Sequence, residues 1–306
     1  MSVLGTGGVI IQGITGREAR MVAEHSVAYG TPLVAGVTPG KEGESVAGVP
    51  VFNSVAEAMG GIETEIDTSL ISVPPFAVLA AGREALEAGI RRLVIATEGV
   101  PRHDMVRLLA EARAQDVAVI GPNSVGAITP STCRKIGAIG GDRPERAFVP
   151  GHVGIISRSG GMTAEIGLTL RRAGLGVSTA ISVGGDDLIG LPLEKAALLL
   201  QSDPCTYIIC LFGEPGTPFE EELAQAMLAG HVTVPVVALI AGAFTETLPE
   251  GTAFGHAAAI IAGSSGRPST KRRVLADAGA HVVDTLDELA GIVTALLKDG
   301  YTHAGD

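Results

Sequence analysis

Strand-length apolar runs, each closed by Gly or Pro, alternate along this chain with longer stretches whose apolar positions recur every three or four residues. Gly8–Gln12, Pro32–Val37, Ser69–Val73, Leu93–Ala96 and Val117–Ile120 are runs of the first kind and predict buried strands. Between them, Arg17–Tyr29, Phe76–Gly89 and His103–Gln115 predict helices, and Ser54-Val55-Ala56-Glu57 has the spacing of a capping box. Such alternation predicts a parallel sheet with helices on both faces and a ligand crevice at the carboxyl ends of its strands.

Residues 125–150, rich in Gly, Pro and charge, predict an irregular connection. The alternation then resumes. Val153–Ile156, Tyr207–Phe212, Pro235–Ile240 and Ala280–Val283 predict strands, and Thr163–Arg172, Thr270–Ala278 and Leu286–Leu297 predict helices. The chain therefore divides into an α/β domain over 1–124, a connection over 125–150 and a second α/β domain over 151–306, both with parallel sheets.

Composition agrees with two such domains: 306 residues, 46% hydrophobic, 18% charged and 42 glycines fit a globular α/β chain and not a disordered one. No apolar run approaches the roughly 18 residues that span a bilayer, and the N-terminus lacks a basic start and an apolar signal core. A cytoplasmic protein with no membrane partner is expected. A formal charge of -11 repels polyanions, which argues against nucleic acid, so any anionic ligand must be gripped locally. Cys133, Cys205 and Cys210 are an odd set without metal-ligand spacing, which predicts reduced structural thiols and no metal site.

Three places carry candidate chemistry. In the first, Gly13-Ile14-Thr15-Gly16 joins the first strand to its helix, an arrangement whose free N–H groups and dipole favour a phosphate. The turn is GxxG and lacks the full dinucleotide signature. The second strand ends at Thr38 and Lys41, where a nicotinamide site would carry an acid for the ribose, so an extra phosphate suits the site better than NAD. Gly16, Lys41 and Glu98 all fall at strand ends. His103, at the start of its helix, reads as solvated.

In the second place, Ser157-Arg158-Ser159-Gly160-Gly161-Met162-Thr163 again runs from strand through small residues into a helix, and Ser159, Gly160 and Gly161 are candidate phosphate ligands. The third is a histidine, His256, between Gly255 and small residues on a long loop from Ala243 to Gly255. Glu214, at the end of Tyr207–Phe212, is placed either to accept a ring N–H and fix a histidine tautomer or to cap the next helix. His281 reads as structural.

Ten blocks in one order resemble the alpha subunit of the succinyl-CoA synthetase family of ADP- or GDP-forming acid–thiol ligases: Gln12–Gly16, Ala28–Thr31, Gly36–Lys41, Val49–Asn53, Thr97–Gly99, Gly121–Asn123, Ser157–Gly160, Gly184–Asp186, Gly213–Glu214 and Gly255–Ala257. The resemblance implies a Rossmann-like first domain that binds coenzyme A and a flavodoxin-like second domain carrying a phosphorylated histidine. It implies that Thr15, Gly16, Arg17, Glu18, Lys41, Ala96, Thr97 and Glu98 line the CoA site, that His256 is the phosphohistidine and that Glu214 orients it. The reaction so implied is RCOO⁻ + CoA + NTP giving RCO-CoA + NDP + phosphate. A neutral imidazole is a competent nucleophile for it near pH 7.

The chain has no GxxxxGK[ST] loop. With both domains already assigned, a nucleotide-binding beta subunit is therefore expected; the resemblance implies that it is of ATP-grasp type and brings ATP or GTP with Mg, in a heterodimer or heterotetramer, and that the substrate is a small carboxylic acid. Against the family pattern, Ala164 stands where an aromatic is usual, which enlarges or reshapes the acid pocket, and Ser124 replaces a cysteine. Pro215 and Thr217 interrupt Gly-Glu-Ile-Gly-Gly, and the histidine loop carries Glu246, Glu250 and Ala253 where cations are common. Malate, citrate and sulfonated short acids thus join succinate as candidates. A CoA-binding regulatory or scaffold chain without turnover is the alternative reading, and an NAD-dependent oxidoreductase the third.

Overall fold

The structure, a computed structural model, describes residues 4–247 and 266–300. His256, Glu250 and Ala253 lie outside the described residues. In the first half, strands β1 (Gly8–Gln12), β2 (Leu33–Val37), β3 (Ser45–Val46), β4 (Val49–Phe52), β5 (Ile66–Ile71), β6 (Arg92–Ile95) and β7 (Ala118–Ile120) form a seven-stranded sheet in the order β3-β4-β2-β1-β5-β6-β7. Helices α1 (Arg17–Tyr29), α2 (Val55–Gly61), α3 (Val78–Glu87) and α4 (Arg102–Ala114) cover its faces. Every residue of β1 and β5 is buried, as strands between two helical layers must be. β1 reads as an apolar run for this reason, whereas β5 starts three residues before the expected Ser69 because its first half carries the buried polar residues Asp67, Thr68 and Ser69.

The second sheet comprises β8 (Ala127–Thr129), β9 (Arg134–Ile136), β10 (Pro150–Ser157), β11 (Val177–Ser182), β12 (Ile208–Gly213), β13 (Val236–Ile240) and β14 (His281–Val283), in the order β14-β13-β12-β10-β11-β8-β9. Its helices are α5 (Gly160–Arg172), α6 (Leu193–Gln201), α7 (Phe219–Leu228), α8 (Pro268–Asp277) and α9 (Leu286–Lys298).

Both sheets are parallel except at one edge. There β3 pairs antiparallel with β4, and β8 pairs antiparallel with both β11 and β9. Residues 125–150 are thus not an irregular connection: they supply two strands to the second sheet, and α1 of the first half packs on β9. One buried apolar cluster accordingly runs from Val9 and Ile11 through Ile120 and Ile136 to Ile156 and Ile181.

Local chemistry sets the helix ends. Ser54 Oγ accepts from Glu57 N–H at 3.2 Å, while the Glu57 carboxylate reaches back to Asn53 N–H at 3.0 Å, one residue before the cap. Thr285, Glu288 and Asp284 repeat the pattern at α9, at 3.2 and 2.8 Å. Helix α8 starts at Pro268, two residues before the predicted start, because proline is well suited to a first helical position. Helix α5 starts at Gly160, three residues early, because Ser159 caps it by accepting from Met162 N–H at 3.4 Å.

Candidate functional site

In the first sheet the chain runs outward from β1 to one side through β2 and β4, then returns to the other side at β5, so the switch point lies between β1 and β5. Two cavities of about 670 and 560 Å³ open there, both of a size usual for small-molecule sites. They share Gly16, Ser72 and Val73 as a common wall.

The larger cavity has apolar walls, Val37, Pro39, Val73, Pro74, Ala77 and Ala80. Its polar floor is fully engaged. Gln12 Nε2 donates to Ala81 O at 2.9 Å and to Glu84 Oε2 at 3.0 Å, and Gln12 Oε1 accepts from Ser69 at 2.8 Å. Such a slot accommodates a thin apolar arm without stranding a buried polar group. Thr15 and Thr38 also line it, their hydroxyls 3.3 Å apart.

The smaller cavity is lined by Gly16, Arg17 and Glu18 at the start of α1 and by Ala96, Thr97 and Glu98 at the end of β6. Gly16 caps α1 with no side-chain hydrogen bond, which leaves the first-turn N–H groups facing the crevice. The approach of backbone to backbone is close: a Cβ on Gly13, whose φ is +84°, would sit 2.2 Å from Ser72 O. Of the eight residues implied for the CoA site, seven therefore line the two cavities, with Thr15 in the larger, Gly16 in both, and Arg17, Glu18, Ala96, Thr97 and Glu98 in the smaller.

Lys41 is the eighth, and it lines neither. It bonds Glu44 at 2.9 Å, with both side chains exposed, and that bond, aided by Arg20, holds the Glu44 carboxyl below the ordinary range.

The second sheet has its switch point between β10 and β12, with β11 on one side and β13 and β14 on the other. Ser159 follows β10 and Glu214 follows β12, so the topology brings these two predicted residues to neighbouring strand ends. The turn at Ser159 is held from inside. Ser159 O accepts from Ser157 Oγ at 2.7 Å and from Thr163 Oγ1 at 2.8 Å. Among the described residues nothing accepts from the N–H of Gly160 or Gly161. Ala164 and these two glycines line a further cavity of about 400 Å³, with Val125, Arg143 and Arg146 across from them.

Glu214 is half-buried and donates its backbone N–H to Glu220 Oε1 at 3.0 Å. Glu220 in turn pairs with Lys271, both side chains being fully buried, and Lys271 also bonds Glu221 at 2.8 Å. Glu221 accepts from Gly266 N–H at 3.3 Å. Helix α8 is thereby fastened to the loop that carries Glu214.

Sequence reasoning passed over several of these residues. Gln12 lies inside an apolar strand and looks like a break in its pattern, and Asn123 lines the smaller cavity. Arg158 is only 1% exposed, with its guanidinium spent on groups far away in sequence, Thr217, Gly185 and Asp186. His103 is exposed, as expected. Cys133 and Cys205 are free and exposed, so of the three thiols only Cys210 belongs to the core.

Comparison with known proteins places these features. Residues 6–99 match the CoA binding domain family, and residues 150–296 match the succinyl-CoA ligase like flavodoxin domain family. The chain is 40% identical over 290 residues to the succinate–CoA ligase [ADP-forming] subunit alpha 1 of Archaeoglobus fulgidus, covering 95% of this chain and 96% of that one. It is 39% identical over 279 residues to the ADP-forming sulfoacetate-CoA ligase subunit SqwL of Acholeplasma sp, covering 90% and 91%. Among solved structures, ATP citrate lyase from Methanothrix soehngenii in complex with citrate and coenzyme A superposes with a TM-score of 0.87 at 26% identity. That match covers 99% of this chain and 52% of that chain, so the protein spans about half the length of the lyase. With the CoA binding family over its first sheet and the ligase flavodoxin family over its second, the chain belongs to the succinate–CoA ligase alpha-subunit family.

Proposed function

We propose that this chain is the CoA-binding and phosphoryl-carrying subunit of an NDP-forming carboxylate–CoA ligase, working through phosphorylated His256 and an acyl phosphate. The observation that carries this reading is the pair of switch-point sites: two cavities fit for an extended ligand on the first sheet, and Ser159 and Glu214 at adjacent strand ends on the second. The crevice fits coenzyme A on physical grounds. Apolar walls suit the pantetheine arm, and the uncapped N–H groups of α1 suit a phosphate. Coenzyme A supplies the thiol that becomes the thioester.

The chain's own groups do the rest. Glu214 accepts an imidazole N–H of His256, leaving the other ring nitrogen to attack the terminal phosphorus of the nucleotide. The N–H groups of Gly160 and Gly161, at the positive end of the α5 dipole, hold the phosphoryl group on that nitrogen. This is how a chain of charge -11 retains nearly two negative charges without a lysine. The substrate carboxylate then takes the phosphoryl group, and thiol attack on the acyl phosphate expels phosphate.

A nucleotide-binding beta subunit of ATP-grasp type supplies ATP or GTP with Mg, and the working enzyme is a heterodimer or heterotetramer. Ala164, where an aromatic is usual, opens the cavity beside α5 to short acids bulkier than succinate or bearing a sulfonate. The test is to incubate the chain and its partner subunit with γ-labelled NTP. Acid-labile label that disappears in His256→Asn is the expected result, whereas complete absence of label in the wild type favours a scaffold chain.

A further inference from the structure

The two sites are joined by a short strap, Gly184–Asp187, which follows β11 and lies against the end of the first sheet. Contact is tight: a Cβ on Gly184, whose φ is +110°, would sit 2.2 Å from Pro122 O. On one side the strap is held by Arg158, the residue before Ser159. Arg158 Nη1 donates to Thr217 Oγ1 at 2.8 Å, and Nη2 donates to the carbonyls of Gly185 and Asp186, each at 3.2 Å. The guanidinium carbon stands 5.4 Å from the centroid of Phe219.

On the other side the strap grips the CoA-type crevice. Asn123 Nδ2 donates to Asp186 Oδ1 at 3.0 Å, and Gly185 N–H donates to Asn123 O at 3.3 Å. Asn123 N–H donates to Thr97 O at 2.9 Å, and Thr97 Oγ1 donates to Val73 O at 2.8 Å. Asn123, Thr97 and Val73 all line the smaller cavity. An unbroken polar path therefore runs from the turn at Ser159 to the wall of the crevice.

Among the described residues the acceptors of Arg158 are a hydroxyl and two carbonyls and include no carboxylate, and its Nε has no hydrogen-bond partner. Burying a guanidinium on neutral acceptors is costly, and an apolar side chain would fill the same space with less desolvation. The retained charge is best explained by what it aligns.

We propose that Arg158 and Asp186 are positioning residues that fix the coenzyme crevice relative to the phosphate turn, so that a thiol held in one reaches an acyl phosphate held at the other. The inference rests on the ligase reading above and adds to it where the two half-reactions are coupled. Attack on the acyl phosphate needs that alignment; phosphorylation of the chain by nucleotide does not.

The experiment uses the chain with its partner subunit and follows label from γ-labelled NTP, CoA binding, acyl-CoA formation and thermal unfolding in parallel. In Asp186→Ala, label and unfolding temperature stay at wild-type values, while acyl-CoA formation at saturating CoA falls about tenfold or more, since a displacement near 1 Å suffices for that. Asp186→Asn, whose amide oxygen still accepts from Asn123, recovers most of the lost rate. Arg102→Ala, which removes only a solvent-exposed ion pair to Asp187 at the outer end of the strap, changes nothing. Acyl-CoA formation at the wild-type rate in Asp186→Ala, or label and acyl-CoA falling together, overturns the proposal. A wild-type complex that neither takes label nor makes acyl-CoA instead defeats the ligase reading itself, and this inference with it.

Discussion

Lys135 shows how a single residue departs from what its letter suggests. It stands on β9 fully buried, and its ammonium has no hydrogen-bond partner among the described residues. Burial pulls its pKa down from 10.5 to about 8, against a weaker opposing pull from Asp142. The folded pKa is the lower one, so between these values the unfolded chain binds more protons and stability rises with pH. Below about 8 both states are charged and the full penalty applies. Lys135→Met is therefore expected to stabilise the protein at pH 7 by about 2–3 kcal/mol, with the advantage gone above the unfolded pKa. Urea melts of both proteins across that range check it. Two successive cations, Arg134 and Lys135, are also why the sequence reads this strand as a charged connection. Nothing local reveals that the first bonds carbonyls of the N-terminal segment or that the second is buried. Lys41 adds a partner the sequence does not show: the cation expected at a strand end pairs with Glu44, three residues on, with both side chains exposed.

At the scale of elements, most apolar runs were legible because parallel strands are covered on both faces, and α2 because its cap Ser54 is a local signal. β11 was not, since Val177–Ser182 mixes Ser178, Thr179 and Ser182 with its apolar residues, and α6 also went unread. The turns at Gly13–Gly16 and Ser157–Gly161 were legible as local signals too, and both fall at the switch points. Arg158 was not, because its partners come from two other strand ends, and neither was the fastening of α8 to α7. That fastening yields a prediction. Lys271 and Glu220 are wholly inaccessible, and breaking one partner leaves the other as an uncompensated buried charge. Lys271→Met is expected to cost about 3–5 kcal/mol in denaturant unfolding, and adding Glu220→Gln to it to recover a large part of that loss. If the single and double variants unfold alike, the pair is not what holds the two helices together.

Across the whole molecule the two halves are sewn together by Arg134. From the second sheet it donates to Leu4 O at 2.8 Å, Gly7 O at 2.7 Å and Asp67 Oδ1 at 3.0 Å, all in the first half. Burial pushes the Asp67 carboxyl up, but bonds from Thr68 and Gly7 and the charges of Arg134 and Arg92 outweigh it, so it stays below the ordinary value. A depressed folded pKa contributes stability that is present above the unfolded pKa and lost as pH falls through the folded one. Arg134→Met is expected to destabilise the protein by about 3–5 kcal/mol at pH 7 and to make the acid side of its stability profile shallower. Parallel denaturation curves of both proteins from neutral pH into the acid range decide it.

The crossing of residues 127–136 to the far edge of the second sheet has one more consequence. The chain reaches the rim of that sheet before it lays down the central strand β10, and the rim is the part on which α1 rests. Dissection after residue 124 would leave one fragment with a bared helix face and the other with a fringe that has lost its support. The halves should therefore be obtained as a well-behaved pair only when co-expressed and allowed to reassociate, so shuffling this amino-terminal module onto another carrier requires the fringe to travel with it.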